Sequence, residues 1–146
     1  MHMIGVCRML NRNGLKDLAE TRLREARTLL DAGCPAGAYY LGGYVIECGL
    51  KAVIAKQTNR FDFPDKRTVD KSYTHDLGAL ILTAGLEAEL NKEKATNRTF
   101  EKNWQLVQGW TEASRYSIID PVKAGDLVDA ISDKKHGVLR WLKRHW

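Results

Sequence analysis

The sequence is poor in the features that announce most chemistries. Its 146 residues include three cysteines, three prolines and four histidines, and no run of eighteen apolar residues. Without such a run no segment reads as a membrane-crossing helix, so no membrane partner is expected. Cys7, Cys34 and Cys48 are widely spaced, odd in number and form no C-x-x-C pair, which argues against a disulfide framework. No His-x-x-x-His or mixed Cys/His cluster is present, so neither a metal site nor a cofactor is expected. Asp126, Asp129 and Asp133 recur at helical spacing, but they have no His or Glu partner nearby and read as a solvated face. Strand-like alternation and internal repeats are also missing. The segment Met1 to Asn13 lacks the continuous apolar region of a secretory signal. We read residues 1–14 as a flexible leader and the protein as cytoplasmic.

What is there is helical periodicity. Leu15, Leu18, Ala19, Leu23, Ala26, Leu29 and Leu30 predict a first helix. Gly33 and Pro35 close it and open a second, to about Gln57. Residues 58–74 are polar and aperiodic and read as a loop. Ser72 or Thr74 can cap a third helix through Leu86, with Asp76 in its first turn. A short polar helix over Glu87–Ala95 follows, then one from about Thr99 to Ser114 and a last one from Pro121 to Arg144. The pattern predicts an all-α fold, a four- to five-helix up-and-down bundle in one domain over residues 15–146.

The second helix stands out. A helix interior disfavours Gly by about 1 kcal/mol relative to Ala, yet Gly37, Gly42, Gly43 and Gly49 all fall within it. Their retention predicts close approach by another backbone or by a ligand. On the same helix Tyr40, Tyr44, Glu47 and Lys51 share one stripe. That stripe suits a core face with hydroxyls at its rim, a nucleotide site offering stacking and hydrogen bonds, or a homodimer interface anchored by tyrosines. Charge is uneven: residues 1–60 carry +4, residues 61–120 carry −2 and residues 121–146 carry +3. Lys134, Lys135, Arg140, Lys143 and Arg144 gather at the C-terminal end with no acid among them. Such a cluster attracts phosphate-rich partners, or complements the dipole of a helix end.

The run Gly37-Ala38-Tyr39-Tyr40-Leu41-Gly42-Gly43-Tyr44-Val45-Ile46-Glu47-Cys48-Gly49-Leu50-Lys51-Ala52 resembles the signature helix of the HEPN family (higher eukaryotes and prokaryotes nucleotide-binding). Thr74-His75-Asp76-Leu77, Ser114-Arg115-Tyr116 and Gly137 to Trp146 follow in the order and spacing of that family. The resemblance implies a homodimer that binds RNA or a nucleotide. It further implies pairing with a minimal nucleotidyltransferase as a toxin–antitoxin or defence system. Active members are metal-independent endoribonucleases with an Arg, then four to six intervening residues, then a His.

Cleavage of that kind needs a cation on the scissile phosphate and a group able to move a proton from the ribose hydroxyl. The resemblance places the arginine at Arg115, but Asp120, Pro121 and Val122 stand where the histidine belongs. Arg140 and His145 satisfy the spacing at the opposite end of the last predicted helix. The candidate catalytic residues are therefore Arg115, Arg140 and His145. The candidate ligand-binding set is Tyr44, Glu47, Lys51, His75, Arg115 and Tyr116, with His75 and Asp76 meeting Arg115 and Tyr116 around the Glu47–Lys51 pair. Against this stands a structural reading in which His75 bonds locally at a helix start, Arg115 pairs with Glu47 and Tyr116 packs in the core. Three functions follow: a binding protein, an endoribonuclease toxin and a non-catalytic dimeric adaptor.

Overall fold

Asn11 opens the first helix by accepting the Gly14 N–H on its side-chain oxygen at 2.7 Å, which satisfies one of the donors a helix start leaves free. This helix is α1 (Arg12–Asp31). At its end Gly33 takes φ 79°, and the N–H groups of Gly33 and Cys34 return to the carbonyls of Leu30 and Leu29. That Schellman turn needs a left-handed residue, which glycine supplies without a Cβ penalty. Pro35 then occupies the first turn of α2 (Pro35–Gln57), where its fixed φ fits and its missing N–H costs nothing.

A computed structural model describes residues 11–58 and 65–146. Among them the fold is all-helical, with eight α-helices and one 3₁₀ helix. The leader expected over residues 1–14 lies mostly outside the described residues, and α1 begins already at Arg12.

The helix count exceeds the four to five expected because three expected elements are divided or added to. Within the expected loop, α3 (Lys66–Ser72) forms behind Asp65, whose carboxylate accepts the Thr68 N–H. Its short length, with Val69 as its one apolar residue, hides it from periodicity. Next, α4 (Leu77–Thr83) starts later than expected and stops before Leu86; Asp76 is its N-cap, accepting from Ala79 N at 3.1 Å, rather than a first-turn residue. Then come α5 (Glu87–Thr96) and α6 (Arg98–Gln108). The expected helix to Ser114 breaks at Gly109, and Glu112–Tyr116 form the separate 3₁₀ turn. The long last helix is likewise two: α7 (Pro121–Ser132) and α8 (Val138–Lys143). Asp133 ends α7 by accepting the N–H groups of Lys135 (3.2 Å) and His136 (2.6 Å) on its side chain, the local competition with helix that aspartate offers. Asn103 Nδ2 donates to the His136 carbonyl at 2.9 Å and ties this turn to α6.

The core gathers on α2, which packs against α1, α4, α7, α8 and the 3₁₀ turn. Its Val45, Ile46 and Leu50 are fully buried with Leu80, Phe100, Leu127, Ile131 and Leu142. The glycines of α2 answer to this packing. Side chains fill the space beside them: Leu29 at Gly37, Leu127 at Gly42 and Leu142 at Gly49. At Gly43 a Cβ would fall inside the indole of Trp110. Close approach is real there, but the approaching group is a side chain of the same chain, neither a second backbone nor a ligand.

Candidate functional site

Trp110, placed by the turn after α6, lies on the bare Gly43 backbone and is itself buried. Against it stand Tyr44 (ring centroids 5.6 Å apart, edge-on) and Tyr40 (6.5 Å). The two tyrosines are one helical turn apart and share a hydroxyl–hydroxyl bond of 3.1 Å. Burial first, then the Tyr40 hydroxyl and the negative Glu47, hold the Tyr44 phenol far above its ordinary pKa, so it stays a proton donor. One turn further Glu47 is 4% exposed, the one buried charged side chain among the described residues. An isolated buried carboxylate is costly and must be paired. Lys51 Nζ donates to Oε2 at 3.2 Å, and His75 Nδ1–H donates to Oε1 at 2.8 Å. The adjacent Cys48 thiol is pushed up to about 11, by burial above all and then by the Glu47 charge, which keeps it protonated and unreactive.

His75 reaches Glu47 because the N-cap of α4 fixes the segment before it: Asp76 caps, Thr74 Oγ1 accepts the Asp76 N–H, and the imidazole is left pointing back across α2. Its second nitrogen, Nε2, faces Glu112 Oε2 at 3.3 Å. The other oxygen of Glu112 faces Arg115 Nη1 at 3.4 Å. Arg115 in turn lays its guanidinium over the Tyr116 ring, 4.8 Å from the centroid. The Tyr40 hydroxyl, first, and the Tyr116 phenol hold Arg115 above its usual pKa, so it is charged under all ordinary conditions. The result is a line of basic and acidic side chains in alternation, Lys51–Glu47–His75–Glu112–Arg115, that crosses three separate chain segments. Its two ends differ. Glu47 is enclosed, whereas the side chains of His75, Glu112 and Arg115 are 44%, 30% and 46% exposed.

Two grooves flank this line. One, of about 640 Å³, runs between α1, α2 and α3 and is walled by Tyr40, Tyr44, Glu47, Lys51 and Arg22 among apolar neighbours. The other, of about 610 Å³, opens beside His75, Gly78, Trp110, Thr111 and Glu112.

Comparison with protein-family models, curated proteins and solved structures returned no match to this chain.

The structure thus draws Tyr44, Glu47, Lys51, His75 and Arg115 into one neighbourhood. Three details differ from the sequence reading. Arg115 pairs with Glu112, not with Glu47. Tyr116 is 79% exposed instead of packing in the core. Asp76 is taken up by its cap, apart from the line. Glu112, the residue that joins His75 to Arg115, escaped the sequence reading. Its one signal was the i, i+3 spacing to Arg115, which is common on any helical turn.

Arg140 and His145 are not brought together. Arg140 lines a basic groove with Lys143, Arg144 and Leu23. His145 instead sits edge-on against Trp141 at 5.1 Å, where burial lowers its pKa and Glu89 and Glu93 are its acidic neighbours. Of the C-terminal cations, Lys143 pairs with Glu20 at 2.8 Å and Arg144 with Glu93 at 3.8 Å. No group of three or more His, Cys, Asp or Glu able to hold a metal occurs among the described residues, and no helix there is long and apolar enough to cross a membrane.

Proposed function

We propose that this chain is a HEPN-type homodimeric protein that binds RNA or a nucleotide and acts with a minimal nucleotidyltransferase in a toxin–antitoxin or defence pair. The observation that supports this best is the convergence of Lys51, His75 and Arg115 from α2, the segment before α4 and the 3₁₀ turn. A guanidinium is the preferred side chain for phosphate oxygens. The exposed ring of Tyr116 beneath it supplies a face on which a base can stack, and Tyr40 and Tyr44 add hydroxyls along the adjoining groove.

Fluorescence anisotropy with labelled single-stranded RNA over a salt series tests this reading. We expect binding that weakens steeply with salt and that Arg115→Ala and Lys51→Ala both reduce. Light scattering should give about twice the 16.5 kDa chain mass. A monomer that ignores RNA at low salt refutes the reading.

The endoribonuclease reading is kept for one observation: His75 faces Arg115 across Glu112 and is oriented from behind by Glu47. A carboxylate-oriented imidazole beside a phosphate-binding cation is the pairing that proton transfer from a ribose hydroxyl requires. Cleavage of single-stranded RNA that His75→Ala abolishes, while His145→Ala leaves it intact, is the expected sign.

A further inference from the structure

His75 is shared by two carboxylates of opposite character. The Glu47 side chain is buried and holds Nδ1 at 2.8 Å, whereas the Glu112 side chain is 30% exposed and stands 3.3 Å from Nε2. Charge-assisted N–H···O bonds close to about 2.7–2.9 Å when they are well made. Glu112 is therefore loose at both of its contacts, the imidazole and the guanidinium at 3.4 Å. It also rides on a single 3₁₀ turn, Glu112–Tyr116, a conformation with poor hydrogen-bond geometry. Ion pairs this exposed are weak. The two oxygens of Glu112 are divided, one to the His75 imidazole and one to the Arg115 guanidinium, in the arrangement that two oxygens of a phosphate adopt between such groups.

We propose that the space between His75 Nε2 and Arg115 Nη1 is a phosphate seat and that Glu112 is its built-in occupant, displaced when a phosphate group enters. The inference rests on the RNA-binding reading for the source of that phosphate, a phosphodiester, while free phosphate and pyrophosphate share the chemistry. Displacement is sterically open, because the groove of about 610 Å³ borders Glu112 and His75 and receives the departing side chain. Entry of the phosphate leaves Nε2 facing a phosphate oxygen, while Glu47 continues to accept from Nδ1. A base adjoining the phosphate then meets Tyr116, already stacked on Arg115 from one side and 79% exposed. Glu112 acts in this scheme as an internal competitor that weakens binding and refills the seat after release.

The test compares Glu112→Gln with Glu87→Gln, an exposed change on α5 that alters net charge equally. Affinity for a labelled single-stranded uridine octamer is read by anisotropy, and pyrophosphate binding by the ¹⁵N shifts of the His75 imidazole. We expect Glu112→Gln to tighten RNA binding by about threefold to tenfold beyond Glu87→Gln, the scale of one weak ion pair removed. The double variant Glu112→Gln/Arg115→Ala should lose that gain. Glu112 is partly and Arg115 largely exposed, and neither bonds to buried Glu47 as His75 does; folding is checked by circular dichroism. RNA binding that Glu112→Gln changes no more than Glu87→Gln overturns the seat and leaves the RNA-binding reading standing. Pyrophosphate binding strengthened by Glu112→Gln without any RNA affinity supports the seat and overturns that reading. Absence of both ligands overturns both.

Discussion

Two pairs of arginine and histidine compete for attention in this chain, and they contrast in instructive ways. Arg140 and His145 are close in sequence and carry a nuclease-like spacing, yet one lines a basic groove while the other packs on Trp141. His75 and Arg115 lie far apart in sequence, yet Glu112 bridges them, and Glu47 anchors the imidazole from inside the fold. Spacing along a helix places two residues on the same or different faces. It does not supply the third and fourth residues that orient a functional group. The internal pair has that support from α2; in the C-terminal pair His145 has apolar packing and Arg140 has cationic neighbours instead.

The contrast breaks most drastically at Gly43. Gly43→Leu should evict Trp110 from its seat on α2, and with it the ring that backs Tyr44 and, through Tyr44, His75 at 5.9 Å. Loss of a buried Trp contact costs about 3–5 kcal/mol, so we expect a cooperative fall in urea midpoint and a red-shifted tryptophan emission. A variant of unchanged stability contradicts the packing described.

A smaller change separates the two carboxylates on His75. Glu47→Ala leaves Lys51 and His75 without their buried partner and should destabilise by about 2 kcal/mol, below the range for fully buried pairs because both partners reach solvent. Glu112→Ala should cost less than about 1 kcal/mol, as exposed ion pairs do. Equal losses in denaturant titrations of the two variants erase the distinction between anchor and occupant.

The smallest effect sharpens the other side of the comparison. Burial holds the pKa of His145 below its ordinary value. The unfolded imidazole, near 6.5, therefore binds protons that the folded one releases. The neutral ring's contribution is fully present above about pH 6.5 and declines as pH falls from there towards the folded value. His145→Gln should flatten the stability profile between neutral and mildly acidic pH; an unaltered slope means that the ring is solvated.

Much of the helical content was legible. Leucine periodicity and the Gly33–Pro35 punctuation locate α1 and α2, since cap and breaker residues act within a few positions of themselves. Shorter features were hidden. α3 has Val69 as its one apolar residue, too few to show a period, and the α7–α8 break depends on the Asp133 side chain choosing backbone N–H groups over solvent. Asn97 and Asn103, silent in the sequence, hold His136 in that break. Within the site, the stripe Tyr40–Tyr44–Glu47–Lys51 followed from the helical repeat alone, whereas Glu112 had no signal that separates it from any surface acid.

The sequence by itself determined that the chain is helical and that one helix carries both small residues and a polar stripe, because propensity and period are local. Only the tertiary structure decided what those features serve. Gly43 receives an indole from beyond α6, and buried Glu47 needs a hydrogen-bond donor that His75, just before α4, delivers, because filling a core and satisfying a buried charge are demands met by whichever distant groups the packing brings.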